Sequence, residues 1–280
     1  MNTGPQAREG YYERIDEHRY KPTAHTGGGW DPTEQHFGPL GGLTAHAIDR
    51  HRSRATGTDS DTGSGGSGSG KALSRISFDI LGRLALQECR IEVETTRPGR
   101  TIELVEATVL IAERPVVRAR AWYLATGDTA AVEGGAPAPL TPPAQCPLWP
   151  MTSMWPGGYI ASLEVRPLDA PRHGRATAWI RSPLDLVAGE SAGHEAAYIA
   201  HVDTANGLAA RQPPAEWMFP NLDLTVHLYR RPEGPWTGLD TTAVFGPNGQ
   251  GLTSTVLHDA TGPVGQAQQT LTVRPSPNGR

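Results

Sequence analysis

Apolar positions recur, interleaved with polar ones, over residues 73–80, 88–97, 101–112 and 115–125, and these segments are rich in β-branched residues. Each predicts a strand with one buried face, and turns such as Arg97-Pro-Gly-Arg100 between them predict an antiparallel meander. Ahead of the meander, a strand at 20–25 leads through a glycine-rich turn into a helical stretch at 41–52. The same order returns in the second half. Strands at 160–166 and 176–181 precede a helix at 194–206, with Gly207 as its C-terminal stop, and strands at 219–229, 239–245, 251–258 and 264–274 complete a second meander. The pattern predicts an α+β chain made of two repeats of a long helix packed on an antiparallel β-sheet.

Two segments interrupt this order. The tract from Thr56 to Gly70 has no aliphatic or aromatic side chain to bury, so it reads as an exposed, flexible insertion. Residues 127–156 are rich in Ala, Gly and Pro, a composition that propagates neither helix nor central strand. They divide the chain into an expected N-terminal domain at 10–126, a linker at 127–156 and a C-terminal domain at 157–275.

A net charge of −4 over 280 residues leaves no basic footprint, which argues against a nucleic-acid or anionic-membrane partner. Cys89 and Cys146 have no Cys or His at ligand spacing, so neither a disulfide framework nor a metal site is expected, and no cofactor motif is present. The glycines at 27–29 lack the Lys-Ser/Thr of a phosphate loop. Asp223 and His227 share a strand face, but two ligands make a poor metal site. Without an apolar segment at the N-terminus, or a run approaching about 18 apolar residues, the expectation is a soluble cytoplasmic protein.

The last strands carry polar groups where a buried row should be apolar. Asn221, Asp223 and Gln269 must point outward, be satisfied internally, or face a ligand cavity. For Gln269, alternation with Leu271 and Val273 argues for the inward side.

These segments also carry a resemblance. Trp30-Asp-Pro-Thr-Glu-Gln-His-Phe-Gly-Pro39, Arg97-Pro-Gly-Arg100, Asp203-Thr-Ala-Asn-Gly207, Pro220-Asn-Leu-Asp-Leu-Thr-Val-His-Leu228 and Gly262-Pro-Val-Gly265 followed by Gln269 stand in the order seen in double-hotdog acyl-CoA thioesterases of the thioesterase II type. The chain resembles that thioesterase-like superfamily, in particular its actinobacterial members. The resemblance implies a double hotdog that hydrolyses an acyl-CoA or acyl-carrier-protein thioester, with further homo-oligomerisation common. In such enzymes an Asp on the second helix, a hydroxyl residue on the following strand and a Gln on the last strand activate a water. The matching positions here are Asp203, Asn221 and Gln269, so an amide replaces the hydroxyl, with Thr225 on the same strand as a nearby substitute.

A thioester is already activated, so the chemistry needs a positioned water, a carboxylate base and donors for the oxyanion. Asp203 is the expected base. Gln269 and Asn221 are expected to hold the water, while His36, Gly38, Gly41, Gly42, Asp223 and Thr225 contact substrate, the glycines by exposing backbone N–H groups at a helix N-terminus. Plainer readings compete. Asp203 also suits a helix terminus, Gln269 an ordinary strand surface, and His36 a structural hydrogen bond at the start of the first helix. A dehydratase, isomerase or cyclase of specialised metabolism, or a non-catalytic acyl-binding protein, would use the same cavity.

Overall fold

A computed structural model describes residues 9–56 and 70–277. Residues 57–69, the body of the low-complexity tract, lie outside the described residues. The first half comprises β1 (Gly10–Arg14), β2 (Arg19–Pro22), α1 (Phe37–Thr56), β3 (Lys71–Ile80), β4 (Cys89–Arg97), β5 (Ile102–Ile111) and β6 (Arg114–Ala125). The second half begins with α2 (Gly158–Ala161), β7 (Glu164–Pro167), β8 (Arg175–Arg181) and β9 (Asp185–Val187). It continues with α3 (His194–Val202), α4 (Thr204–Leu208), β10 (Trp217–Met218), β11 (Asp223–Leu228), β12 (Thr237–Phe245), β13 (Gln250–Asp259), β14 (Gly262–Thr272) and β15 (Arg274–Pro275).

One sheet of thirteen strands runs through the described residues in the order β7-β8-β12-β13-β14-β11-β3-β6-β5-β4-β2-β1-β9. The halves meet at its centre, where β11 pairs antiparallel with β3, Leu224 opposite Phe78 and Val226 opposite Ile76. At one end β9 of the second half lies parallel to β1 of the first. Alternation decides which face each strand buries. Val105, Ala107 and Val109 on β5, Val117, Ala119 and Ala121 on β6 and Leu224, Val226 and Leu228 on β11 all point into one continuous apolar core. α1 packs against β4, β5 and α3, while α3 and α4 pack against β12.

The two longer helices touch through small residues. A Cβ on Gly42 would lie 2.6 Å from Ala200 Cβ and 2.9 Å from Ala196 O, and one on Gly38 would lie 2.6 Å from Ala200 O. Gly38 and Gly42 are one turn apart on α1, as Ala196 and Ala200 are on α3, so hydrogen-only surfaces let the helices approach. The N-terminal two-thirds of α1 is buried on nearly every side.

Several boundaries differ from the sequence-based expectation. α1 begins at Phe37, four residues before the expected start at Gly41. The expected strand at 160–166 divides into α2 and β7. Gly207 does not stop a helix: α3 ends at Val202, Asp203 forms a joint, and Gly207 lies within α4, where a side chain would run into Trp155. β1 and β9 were not foreseen, because their short runs gain strand geometry only by pairing with each other and with β2.

In an open helix, Gly→Ala gains about 1 kcal/mol. At position 42 the new methyl must separate two packed helices, so Gly42→Ala is expected to lower unfolding free energy by about 1–3 kcal/mol. Urea denaturation checks this, and a midpoint at or above the wild-type value would contradict the contact.

Candidate active site

Asp203 occupies the joint between α3 and α4, is 6 % exposed, and is held from three directions. Its Oδ1 accepts hydrogen bonds from Asn221 Nδ2 at 2.9 Å and Gln269 Nε2 at 2.8 Å. Its Oδ2 lies 3.3 Å from His36 Nδ1. Burial pushes the Asp203 carboxyl above the ordinary carboxylate range, while His36, the two amide donors and the Gly38 N–H pull the other way. Burial likewise holds the His36 imidazole below its usual value, against the pull of the neighbouring carboxylate.

Gln269 belongs to the inward row of β14 between Ala267 and Leu271, which explains how a strand amide reaches a helix joint. It stands behind Asp203 rather than on the cavity wall. Asn221 precedes β11 and reaches the site through an irregularity. Moving from Asn221 to Thr225 advances four residues, while their partners on β14, Leu271 and Gln268, are three apart. This one-residue slip turns Asn221 toward Asp203 and leaves Asp223 and Thr225 on the outer face. Asn221 Nδ2 also donates to Asp223 O at 3.0 Å, so both its N–H bonds are committed.

The other expected contact residues separate into two groups. His36 is in the site: it lines the cavity, and its ring lies 4.3 Å from that of Tyr159. Asp223 and Thr225 do not line the cavity; Asp223 Oδ1 instead accepts the Thr270 N–H at 2.5 Å. Gly38, Gly41 and Gly42 are also off the wall. Gly38 and Gly42 serve the contact with α3, Gly41 lies under the Phe37 ring, and the Gly38 N–H is taken by His36 Nδ1 at 3.0 Å. The expectation of backbone donors open to a ligand at this helix end therefore fails at Gly38, because the preceding side chain caps it.

The cavity beside Asp203 has a volume of about 680 Å³ and draws its walls from both halves and the segment between them, including Trp30, Phe37 and Leu84 from the first half, Met151 and Trp155 from residues 127–156, and Ile160 and Asn221 from the second half. Trp30 packs edge-on against Trp155 at 4.7 Å and Phe219 at 5.1 Å, and Trp155 Nε1 donates to Gly207 O at 2.9 Å. Sequence reasoning did not find Tyr159, whose hydroxyl donates to Ala200 O at 2.7 Å and lies 2.8 Å from Thr204 Oγ1. Only its complete burial marks it out. Among the described residues no group of three or more His, Cys, Asp or Glu side chains is placed to hold a metal ion, and no helix is long and apolar enough to cross a membrane.

A mixed α/β chain with one large antiparallel sheet has counterparts among solved structures. A conserved protein of unknown function with a hot dog fold from Alicyclobacillus acidocaldarius superposes with a TM-score of 0.66 at 15 % identity, covering 93 % of this chain and 95 % of that one. An acyl-CoA thioesterase II, TesB2, from Mycobacterium marinum gives a TM-score of 0.62 at 16 % identity, with 96 % of each chain covered. These likenesses define a hotdog-fold protein. Residues 26–124 match the acyl-CoA thioesterase N-terminal domain and residues 143–273 the acyl-CoA thioesterase C-terminal domain, so the chain belongs to the acyl-CoA thioesterase family. A comparison with curated protein sequences finds no match.

Gln269→Leu keeps the bulk of the side chain and removes one donor from the Asp203 carboxylate. Losing a donor to the ionised form raises the folded-state pKa of Asp203 further, and stability tied to a raised carboxyl pKa is lost as pH rises through it. The variant is expected to lose about 1–3 kcal/mol above neutrality and less at acid pH, where Asp203 holds a proton. Denaturant midpoints across that range check it; a loss independent of pH would show that the bond does not favour the ionised form.

Proposed function

We propose that this protein hydrolyses an acyl thioester, with coenzyme A or a carrier protein as the thiol, and that Asp203 activates the attacking water. The observation that carries the reading is a buried carboxylate, anchored by two amides, at the wall of a largely apolar cavity of acyl-chain dimensions. Burial raises the basicity of Asp203 toward the range a general base needs. Asn221, with both N–H bonds committed, offers its free Oδ1 to the water, and Gln269 positions Asp203 from behind. The water oxygen attacks the carbonyl carbon while its proton passes to Asp203; the C–S bond then breaks, and the thiolate takes that proton back. Arg274, which is exposed and lines the cavity, is the proposed contact for a CoA phosphate.

The same reading treats the chain as two hotdog units, 10–126 and 157–275, joined through 127–156. Two successive family domains and the antiparallel pairing of β3 with β11 support it.

Free-thiol release from a panel of short, medium and aromatic acyl-CoAs tests the proposal. Release above the uncatalysed rate is expected, with Asp203→Asn lowering kcat by about 10²- to 10⁴-fold without loss of folding. For the wild type, kcat/KM should rise with pH through an inflection above the ordinary carboxylate range, because the attack needs ionised Asp203. Product formation without thiol release, or binding without turnover, would overturn the hydrolytic reading.

A further inference from the structure

We propose that His36 is a catalytic residue of this reaction, its Nε2–H donating to the thioester carbonyl oxygen and holding the negative charge that develops there. The inference rests on the hydrolytic reading for its reaction, but its geometry is independent of that reading.

Negative charge on the carbonyl oxygen needs a fixed donor in a water-poor site. The N-terminus of α1 points toward the site, and the Gly38 N–H would be the natural candidate. That donor is taken up on both sides, by His36 Nδ1 at 3.0 Å and by the Asp203 carboxyl. Two groups face Nδ1, the Gly38 N–H at 3.0 Å and Asp203 Oδ2 at 3.3 Å, and only the first has hydrogen-bond geometry, which assigns Nδ1 as an acceptor. A neutral ring whose Nδ1 accepts must carry its hydrogen on Nε2. His36 thus converts a capped backbone donor into a side-chain donor on the far side of the ring. Nε2 has no hydrogen-bond partner among the described residues, and the side chain, 18 % exposed, lines the cavity.

The ring is held in place. It lies on Tyr159, whose hydroxyl is tied to Ala200 O and Thr204 Oγ1, and flipping the imidazole would lose the bond from the Gly38 N–H. Asp203 Oδ2 stands 3.3 Å from Nδ1, and both residues line the same cavity. Burial keeps the imidazole neutral near neutrality, which suits a donor that must not surrender its proton. In the addition step a water oxygen bonds to the carbonyl carbon, the water proton goes to Asp203, and the carbonyl π pair moves onto oxygen, where the Nε2–H holds it. The proton stays on His36. The pair then returns, the C–S bond breaks, and the thiolate takes the proton from Asp203.

Three measurements on the full chain test this. Nitrogen-15 NMR of the imidazole should find Nε2 protonated at neutral pH; an unprotonated Nε2 would overturn the proposal. His36→Ala should lower kcat by about 10²- to 10³-fold on the best acyl-CoA of the panel, with a smaller change in KM, and His36→Gln should recover part of it. A kcat within a few-fold of wild type in His36→Ala would sink the donor role. Binding of two inert thioethers supplies a readout that needs no turnover: an oxoalkyl-CoA, which keeps a carbonyl, and an alkyl-CoA of equal length, which has none. His36→Ala should weaken only the first, by about tenfold. Equal weakening of both would reduce His36 to shaping the cavity. A wild-type protein that releases no thiol yet discriminates the two thioethers through His36 would remove the hydrolytic reading and leave the donor standing.

Discussion

The contact between α1 and α3 through Gly38, Gly42, Ala196 and Ala200 is the constraint on which the site depends. His36 and Asp203 belong to different halves of the chain, and they meet because no side chain separates the two helices. The same closeness places Ala200 O within reach of the Tyr159 hydroxyl, and Tyr159 in turn supports the His36 ring. Close packing of this kind transmits small changes in volume directly, because the interior has little free space to absorb them. Helix packing and site geometry are therefore one property.

Burying a carboxylate is costly unless its oxygens are bonded. Asp203 meets that condition with amide donors rather than cations, so the ionised form is stabilised without a permanent salt bridge. A guanidinium in place of the amides would hold the pKa low and weaken the base. Amides from Asn221 and Gln269 orient the carboxylate and leave its pKa raised by burial.

A second carboxylate shows what the alternative environment produces. Toward the other end of α1, Asp49 Oδ1 accepts a hydrogen bond from Tyr123 on β6 at 3.0 Å, much as Asp203 accepts one from Gln269 on β14. β6 and β14 flank the central β3 and β11 pair. Burial and the nearby Glu195 push Asp49 up to about 6. Here, however, Arg52 covers the Tyr123 ring at 3.5 Å and bonds Glu103 at 2.6 Å, with Lys71 bonded to the same Glu103. Charged side chains fill that end of the helix, and Asp49 does not reach the cavity at the opposite end.

Runs of β-branched residues and turn chemistry were enough to place most of the long strands, because those signals are local and repeat over many residues, while both helices were placed with shifted or divided bounds. Gln269 stood out as an amide in an apolar row, whereas Asp203 on local pattern alone suited a helix terminus and was singled out only by the family resemblance. Asp223 and Thr225 were misplaced because strict alternation was carried through Asn221, where a one-residue slip against β14 reverses the face. Gly38 and Gly42 read as openings for a ligand, whereas their lack of a side chain serves the neighbouring helix. β1 and β9, the joint at Asp203, the support from Tyr159 and the capping of Gly38 by His36 arise from residues far apart in the chain or from backbone direction at a single position. No local pattern encodes such contacts. The sequence by itself determined which segments pair and which polar groups are out of place; the tertiary structure alone decided which of those groups share a cavity, because that depends on how closely two helices from different halves can approach.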